Sequence, residues 1–498
     1  MRKKHNIKLF PIGKDIMVVD KTPLIDVLHL YGIEFPCGGK GTCGKCKVKV
    51  LEGNIEADEI HMDRIKKLGL AENWRLACFS ACTGNITLEI EQFEHLILSD
   101  ESSFTFKPLT GFGVVVDLGT TTIVGQIVNL KTSEVITTET TLNPQVRFGA
   151  DLISRIDSSI NGHAREMTNV VRTSIESIIL SMLAQRPVPL RRMIIVGNTA
   201  MQYIFSGLSV RDLSAFPFEI KDQGMKVFQS DRLDWSFKID EGVKVFPPIG
   251  SFVGTDILSG IFALQMHRND KITALIDLGT NGEIAIGNKN GILCASTAAG
   301  PAFEGSRISM GMRAVTGAIS SMTIRNNEVD IHVIGNVEAK GICGSALIDA
   351  VSIFRKRELI DEFGIINSGL GYIPITEKVV LTQRDIQEFL LAKAAIATGL
   401  EILADKLLIK TNEIDKIFIA GGFGNFINID NVIETEMINS SCDIIEKRGN
   451  TALLGAKMLL YCDFSEVESI LSISNHVNLE GEPTFNEKYV CKLKLKHL

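Results

Sequence analysis

Apolar and polar residues alternate with a period of two over Ile7–Phe10 and again over Ile16–Val19, and this predicts a β-hairpin. A helix is expected over Pro23–Tyr31, then strands over Cys46–Leu51 and Ile86–Ile90. From Gly111 the pattern changes. The apolar run Val114–Val116 ends in Asp117, turns through Gly119, Thr120, Thr121 and Thr122, and returns as Ile123–Asn129. The figure recurs: Ala274–Ile276 ends in Asp277, turns through Gly279, Thr280, Asn281 and Gly282, and returns as Glu283–Gly287. A further apolar strand, Ile417–Ala420, feeds Gly421-Gly422-Phe423-Gly424. Helices rich in small residues are expected over Val253–Gln265 and Asn450–Leu460, meeting at Gly260 and Gly455.

These patterns predict a multidomain protein of α+β and α/β character. A small domain is expected over 1–95, a linker over 96–110, and two related α/β subdomains over 111–270 and 271–498. As a flexible coil the linker would span about 20 Å, enough for the first domain to change position. The 498 residues, 45% apolar and 22% charged, exclude a disordered or fibrous chain. No apolar stretch has the length and freedom from charge of a membrane span, and the basic start is followed by Lys8 and Lys14 rather than by an apolar signal core. A cytoplasmic protein without membrane attachment is expected. An isoelectric point near 5.8 without a basic run argues against nucleic acid as a partner.

Five of the ten cysteines fall in the first 82 residues. Cys37, Cys43 and Cys46 share one Gly-rich loop, and Cys78 or Cys82 could complete a set of four. A cytoplasmic setting disfavours disulfides, which leaves a metal. Zinc usually takes two short Cys knuckles. Three thiolates on one loop with Gly38, Gly39, Gly41 and Gly44 instead suit a 2Fe-2S cluster, whose sulfurs accept backbone N–H groups from a loop that can take positive φ. Lysine and arginine balance aspartate and glutamate over residues 1–110, 15 against 15, and the remainder carries 37 against 44. Lys40, Lys45, Lys47 and Lys49 crowd the cysteine loop, as a solvated rim or as a docking face for an acidic electron-transfer partner.

In each repeat the turn exposes successive backbone N–H groups to a phosphate, and the preceding carboxylate can hold hydrated Mg²⁺. The double glycine leaves room for a purine and ribose against the backbone. Asp117 and Asp277 are therefore the candidate catalytic acids. Gly119, Thr120, Thr121, Gly279, Thr280 and Asn281 are candidates for the phosphates, and Gly421, Gly422 and Gly424 for the adenosine. Glu304, in the Gly-rich loop after the second hairpin, is placed either to orient the water for hydrolysis or to cap local structure.

The cysteine spacing resembles that of plant-type ferredoxins with one extra residue, as in the adrenodoxin-like branch, and that resemblance implies a β-grasp fold. Its Arg-x-Ala-Cys pattern, here Arg75-Leu76-Ala77-Cys78, selects Cys78 as the fourth ligand beside Cys37, Cys43 and Cys46. The two Asp-Gly turns and the double glycine resemble the superfamily of acetate and sugar kinases, heat-shock chaperones and actin, which implies a duplicated ribonuclease H-like ATPase. The whole chain resembles the reductive activators of corrinoid proteins. That likeness rests also on Asn143–Asp151, Gly197–Met201, Ala298–Gly305, Gly341–Ser345 and Gln383–Ile386. It implies a 2Fe-2S cluster, ATP with Mg²⁺, a low-potential electron donor, and a corrinoid protein taken from Co(II) to Co(I) as partner, in the methyltransferase system of an anaerobe. Longer members carry an extra small domain where this chain has only the linker. A homodimer is compatible with the reading. Electron-injecting activators of other low-potential enzymes and redox-regulated carbohydrate kinases are the competing classes.

The fusion has an energetic rationale. Each 59 mV of uphill gap in a one-electron step costs about 1.4 kcal/mol, and a plant-type cluster sits near about −400 mV. A more reducing acceptor then needs ATP. Cys294 and Cys343 read as buried small hydrophobes, and Arg147 with Asp151 as either a helical ion pair or a loop near the phosphates.

Overall fold

The computed structural model describes residues 3–10, 13–28, 31, 33, 35, 41–42, 44–90, 104–279, 281–422 and 424–496. Cys37, Cys43, Gly38, Gly39, Lys40, Thr280 and Phe423 lie outside the described residues. Near the N-terminus, β1 (Lys4–Phe10) pairs antiparallel with β2 (Lys14–Val19), as the alternation predicts. A helical turn, α1 (Ile25–Leu28), follows, then β3 (Lys47–Glu52), α2 (Glu59–Lys67), β4 (Trp74–Leu76) and β5 (Ile86–Glu89). The sheet order is β2-β1-β5-β3-β4. Ile7, Leu9, Val48, Leu76 and Leu88 fill its core, each from the inward face of an alternating strand.

Two further six-stranded sheets share a five-strand topology, the sixth strand lying at opposite edges: beside the parallel strands in the first, and, as Ser474–His476, beside the third strand of the hairpin unit in the second. In the first, β6 (Phe112–Leu118) pairs antiparallel with β7 (Thr122–Asn129), which pairs with β8 (Val135–Leu142). On its other side β6 is parallel to β9 (Leu190–Gly197), and beyond that lie β10 (Lys226–Phe228) and β11 (Val243–Val245) in the order β8-β7-β6-β9-β11-β10. In the second, β12 (Thr273–Leu278) pairs antiparallel with β13 (Gly282–Asn288), and β13 with β14 (Gly291–Thr297). A hairpin follows, β15 (Ala318–Arg325) and β16 (Glu328–Val333). On its other side β12 is parallel to β17 (Lys416–Ala420), and β17 to β18 (Ile445–Gly449). The central strands β6 and β12 are covered on both faces, which explains why they read as continuous apolar runs. This is the duplicated actin-like ATPase architecture expected from the repeat.

The two sheets meet through α4 (Thr255–Ala263) and α5 (Thr451–Leu459), which begin after their N-caps Gly254 and Asn450 and so start later than expected. A Cβ on Gly455 would lie 2.0 Å from the Ser259 carbonyl oxygen, and one on Gly260 would lie 2.5 Å from Leu275 Cδ2. The close crossing of these helices therefore requires Gly455, whereas Gly260 is closed in by Leu275 of β12 and faces the other helix only through Thr451, with Oγ1 at 3.1 Å. Gly455→Ala is expected to lower stability by about 1–3 kcal/mol, the scale of overpacking, in urea denaturation. Gly291→Ala, which faces open space, serves as its control.

The described part of the linker, residues 104–110, differs from the flexible coil expected for it, and residues 96–103 lie outside the described residues. Phe106 and Phe104 pack on Tyr461 with ring centroids 4.7 and 5.7 Å away, and the Leu109 N–H donates to the Leu130 carbonyl at 2.9 Å. Apolar burial of two aromatic rings straps residues 104–110 to the ATPase. Among the described residues no helix is long and apolar enough to cross a membrane.

Candidate functional site

The first turn is held from two sides. Asn143 Nδ2 donates to the Gly119 carbonyl at 2.9 Å, and the Asn143 N–H to the Thr121 carbonyl at 2.8 Å. Asn198 Nδ2 donates to Thr120 Oγ1 at 2.9 Å. These contacts give Asn143-Pro144-Gln145 and Gly197-Asn198-Thr199 their place: each asparagine also caps the helical turn that follows it. The two turns face each other across a cleft of about 650 Å³. Of the expected residues, Asp117, Gly119, Thr120, Thr121, Asp277, Gly279, Asn281, Glu304, Gly421 and Gly422 all line it. Gly424 does not line it and packs toward Ile419. Gly421 adopts a positive φ of +92°, and a Cβ there would lie 2.4 Å from the Leu278 carbonyl oxygen and 2.6 Å from Asp277 Oδ1.

Two carboxylates missed in the sequence complete the floor. Asp256 opens α4, and Glu283 stands directly opposite Asp277 in the β12–β13 register. Glu283 was readable in principle, because a hairpin closing through Gly279–Gly282 must bring position 283 beside position 277. Desolvation pushes Asp117 up to about 6, although Asn450 Nδ2 at 2.8 Å pulls the other way. Desolvation, then the charges of Asp256 and Asp117, push Asp277 up to about 8. Asp256 and Glu283 are raised by the same burial and by their acidic neighbours. Four carboxylates that resist ionising together form a donor set that a divalent cation would relieve. Among the described residues no three acidic, His or Cys side chains converge on one ion position.

The sign of the linkage gives a prediction. A carboxylic acid with a raised folded pKa binds more protons folded than unfolded, so stability falls as pH rises from the unfolded value near about 4 to the folded one. Nucleotide-free protein in a metal chelator should therefore lose thermal stability progressively between about pH 4 and pH 8, the upper bound being the Asp277 pKa. Asp277→Asn should flatten the slope, and a slope unchanged in that variant would remove Asp277 as its origin.

At the other site, Cys46 and Cys78 place their Sγ atoms 3.3 Å apart, well beyond a disulfide bond. Cys46 is buried and Cys78 half-buried. Cys82 instead turns its thiol to the Gly84 carbonyl at 3.2 Å, and burial raises its pKa. Gly41 and Gly44 both adopt positive φ, +65° and +68°. A Cβ on Gly41 would collide with the Phe79 ring, beside Cys78. Two thiols in contact and a left-handed glycine loop fit the donor set of an iron-sulfur cluster. Lys40 lies outside the described residues, and the other three lysines each meet a partner. Lys49 pairs with Glu89 at 3.0 Å, Lys47 lies over Trp74 at 5.3 Å, and Lys45 Nζ donates to the Gly311 carbonyl at 2.7 Å.

Arg147 and Asp151 do not pair as i, i+4 partners. Arg147 reaches Asp26 at 3.0 Å and Glu166 at 2.6 Å, while Asp151 caps α3 (Leu152–Ser158) through the Ser154 N–H at 2.8 Å. Cys294 is a core residue, and Cys343 is buried in the cleft wall.

Three family models match the chain in succession. Residues 8–83 match the 2Fe-2S iron-sulfur cluster binding domain, 112–269 the RACo middle region, and 271–498 the C-terminal domain of RACo, the ASKHA domain. The corrinoid activation enzyme RamQ of Eubacterium limosum is 28% identical over 585 aligned positions, covering 97% of this chain and 98% of that protein. The chain belongs to the family of reductive activators of corrinoid proteins. The 585 positions exceed the 498 residues here, so this activator lacks insertions that the relative carries. The [Co(II) methylated amine-specific corrinoid protein] reductase of Methanosarcina barkeri is 25% identical, covering 77% of this chain and 76% of that one. Among solved structures, a reductive activator for a corrinoid, iron-sulfur protein shares the activator fold, with a TM-score of 0.70 at 24% identity over 99% of this chain and 98% of that one.

Proposed function

We propose that this chain reduces a corrinoid protein from Co(II) to Co(I), one electron at a time, and couples that transfer to ATP hydrolysis. The observation that carries the reading is the seat of the ferredoxin domain on the ATPase. Lys45, next to Cys46, reaches the Gly311 and Ser309 carbonyls at 2.7 and 3.5 Å, and Arg147 reaches Asp26 across the same junction. Thr42 and Lys45 from the cysteine loop share one cavity with Thr121 and Glu304 from the nucleotide cleft. A change of closure at the cleft therefore reaches the cysteine loop directly.

Cys37, Cys43, Cys46 and Cys78 would hold the 2Fe-2S cluster, with Cys82 committed to the Gly84 carbonyl. Once bound, that cluster supplies one-electron transfer. Asp117 and Asp277 would position Mg²⁺, and the amides of Gly119, Thr120, Thr121, Gly279, Thr280 and Asn281 would face the phosphates. Gly421 and Gly422, with Gly424 behind them, would bound the adenosine. Glu304, whose Oε1 accepts from Thr121 Oγ1 at 3.4 Å, would orient the attacking water.

The two lobes pivot where Gly455 lets the helices cross. Binding of the Co(II) protein would favour one closure state, and hydrolysis would release the Co(I) product and block back transfer. The setting is the cytoplasm, with a separate low-potential electron donor. Hydrolysis by the holoprotein should rise when the Co(II) corrinoid protein is added and stay unchanged with a panel of sugars. Stimulation by a sugar, with none by the corrinoid protein, would replace this reading with a kinase.

A further inference from the structure

A second cavity, of about 470 Å³, lies between the ferredoxin domain and the ATPase. It shares Thr121, Leu142, Glu304 and Arg313 with the nucleotide cleft, so it opens off the end of that cleft where the two phosphate turns stand. Its walls carry five cations, Lys45, Arg155, Arg307, Arg313 and Arg384, against two carboxylates, Asp151 and Glu304. Asp151 already accepts from the Ser154 N–H and hydroxyl as a helix cap. Arg155 is the decisive residue. It is 1% exposed, and its polar contacts are the Gly149 carbonyl at 2.9 Å, Gln145 Oε1 at 3.4 Å and Met201 Sδ at 3.3 Å.

Among the described residues, no carboxylate lies within ion-pair distance of Arg155. Burial lowers its pKa to about 9, with only distant help from Asp151 and Glu304. A buried guanidinium is costly unless an anion meets it. Guanidinium forks match the oxygens of a tetrahedral oxyanion bidentately.

We propose that this cavity is a second anion site, which takes the inorganic phosphate released at the end of the nucleotide cleft and passes it beneath the ferredoxin domain. The proposal rests on the ATPase reading for its source of phosphate. Water oxygen attacks the γ-phosphorus, the bond to the bridging oxygen breaks and ADP keeps that oxygen, one water proton stays on the phosphate and the other passes to solvent, and the phosphate leaves past Thr121 and Glu304. Lys45 and Thr42 roof the site from the cysteine loop. Phosphate departure and the seat of the ferredoxin domain are thereby linked.

The test is a calorimetric titration of the full chain with inorganic phosphate while a saturating nonhydrolysable ATP analogue fills the γ-position. Phosphate should still bind. The double variant Arg307→Ala/Arg384→Ala, two exposed residues outside the nucleotide cleft, should weaken phosphate binding at least about tenfold, the scale of losing a charged hydrogen bond. Its affinity for the analogue should stay within about twofold, and Arg→Lys at both positions should restore part of the phosphate affinity. Abolition of phosphate binding by the analogue overturns the proposal, as does unchanged phosphate affinity in the alanine variant. If the analogue itself fails to bind, the ATPase reading fails instead, and the same variant pair titrated without nucleotide still decides the cavity.

Discussion

Asp277→Asn and Asp117→Asn should each lower ATP hydrolysis by about 10²-fold or more, the scale of losing preorganised electrostatic stabilisation. Asp277 sits among Asp256, Asp117 and Glu283, and its pKa of about 8 reflects burial plus the charges of Asp256 and Asp117. In the proposed mechanism Mg²⁺ would convert that repulsion into binding, so removing one charge would weaken the ion's hold rather than the fold. The asparagine variants should accordingly be at least as stable as the parent without nucleotide at pH 8, and should need more Mg²⁺ for residual hydrolysis. A steady-state assay across Mg²⁺ concentrations reads both effects. Normal hydrolysis in both variants would disprove the pairing of the two turns as one site.

Cys78→Ser should abolish the visible iron-sulfur absorption and all corrinoid reduction, whereas Cys82→Ser should retain the cluster. The geometry behind this is the 3.3 Å approach of Cys78 to Cys46 and the commitment of the Cys82 thiol to the Gly84 carbonyl. Both cysteines belong to a domain with its own core, so nucleotide binding by the ATPase should survive in each variant. Iron content and absorption spectra of the two purified proteins decide the matter, and an intact cluster in Cys78→Ser would reverse the assignment.

The repeated strand, turn and strand around Asp117 and Asp277 were legible because buried central strands leave continuous apolar runs and because Gly marks the turn between them. The crossing of the two small-residue helices was legible for a related reason, since a glycine at position 455 admits the backbone of the other helix at Ser259. Asp256 was not. An acidic residue in the first turn of a helix reads as an ordinary partner for the helix dipole, and only the three-dimensional crossing brings it to Asp117. Glu283 required strand register, which the hairpin supplies but composition does not. The strap of Phe104 and Phe106 on Tyr461 was hidden because a Ser- and Pro-containing segment carries a linker signature whatever it later packs against. The lysines around the cysteine loop misled for a similar reason. Charge density alone cannot tell a solvated rim from Lys45 reaching a carbonyl of another domain.

The central claim is that ATP hydrolysis and reduction of cobalt are coupled through this one chain. The most direct measurement follows the absorbance of Co(I) when the holoprotein, a reductant and a Co(II) corrinoid protein are mixed anaerobically with ATP, with a nonhydrolysable analogue, or with no nucleotide. The account predicts sustained Co(I) formation with ATP alone, and at most a single turnover with the analogue. Co(I) formed at the same rate in all three mixtures would contradict it.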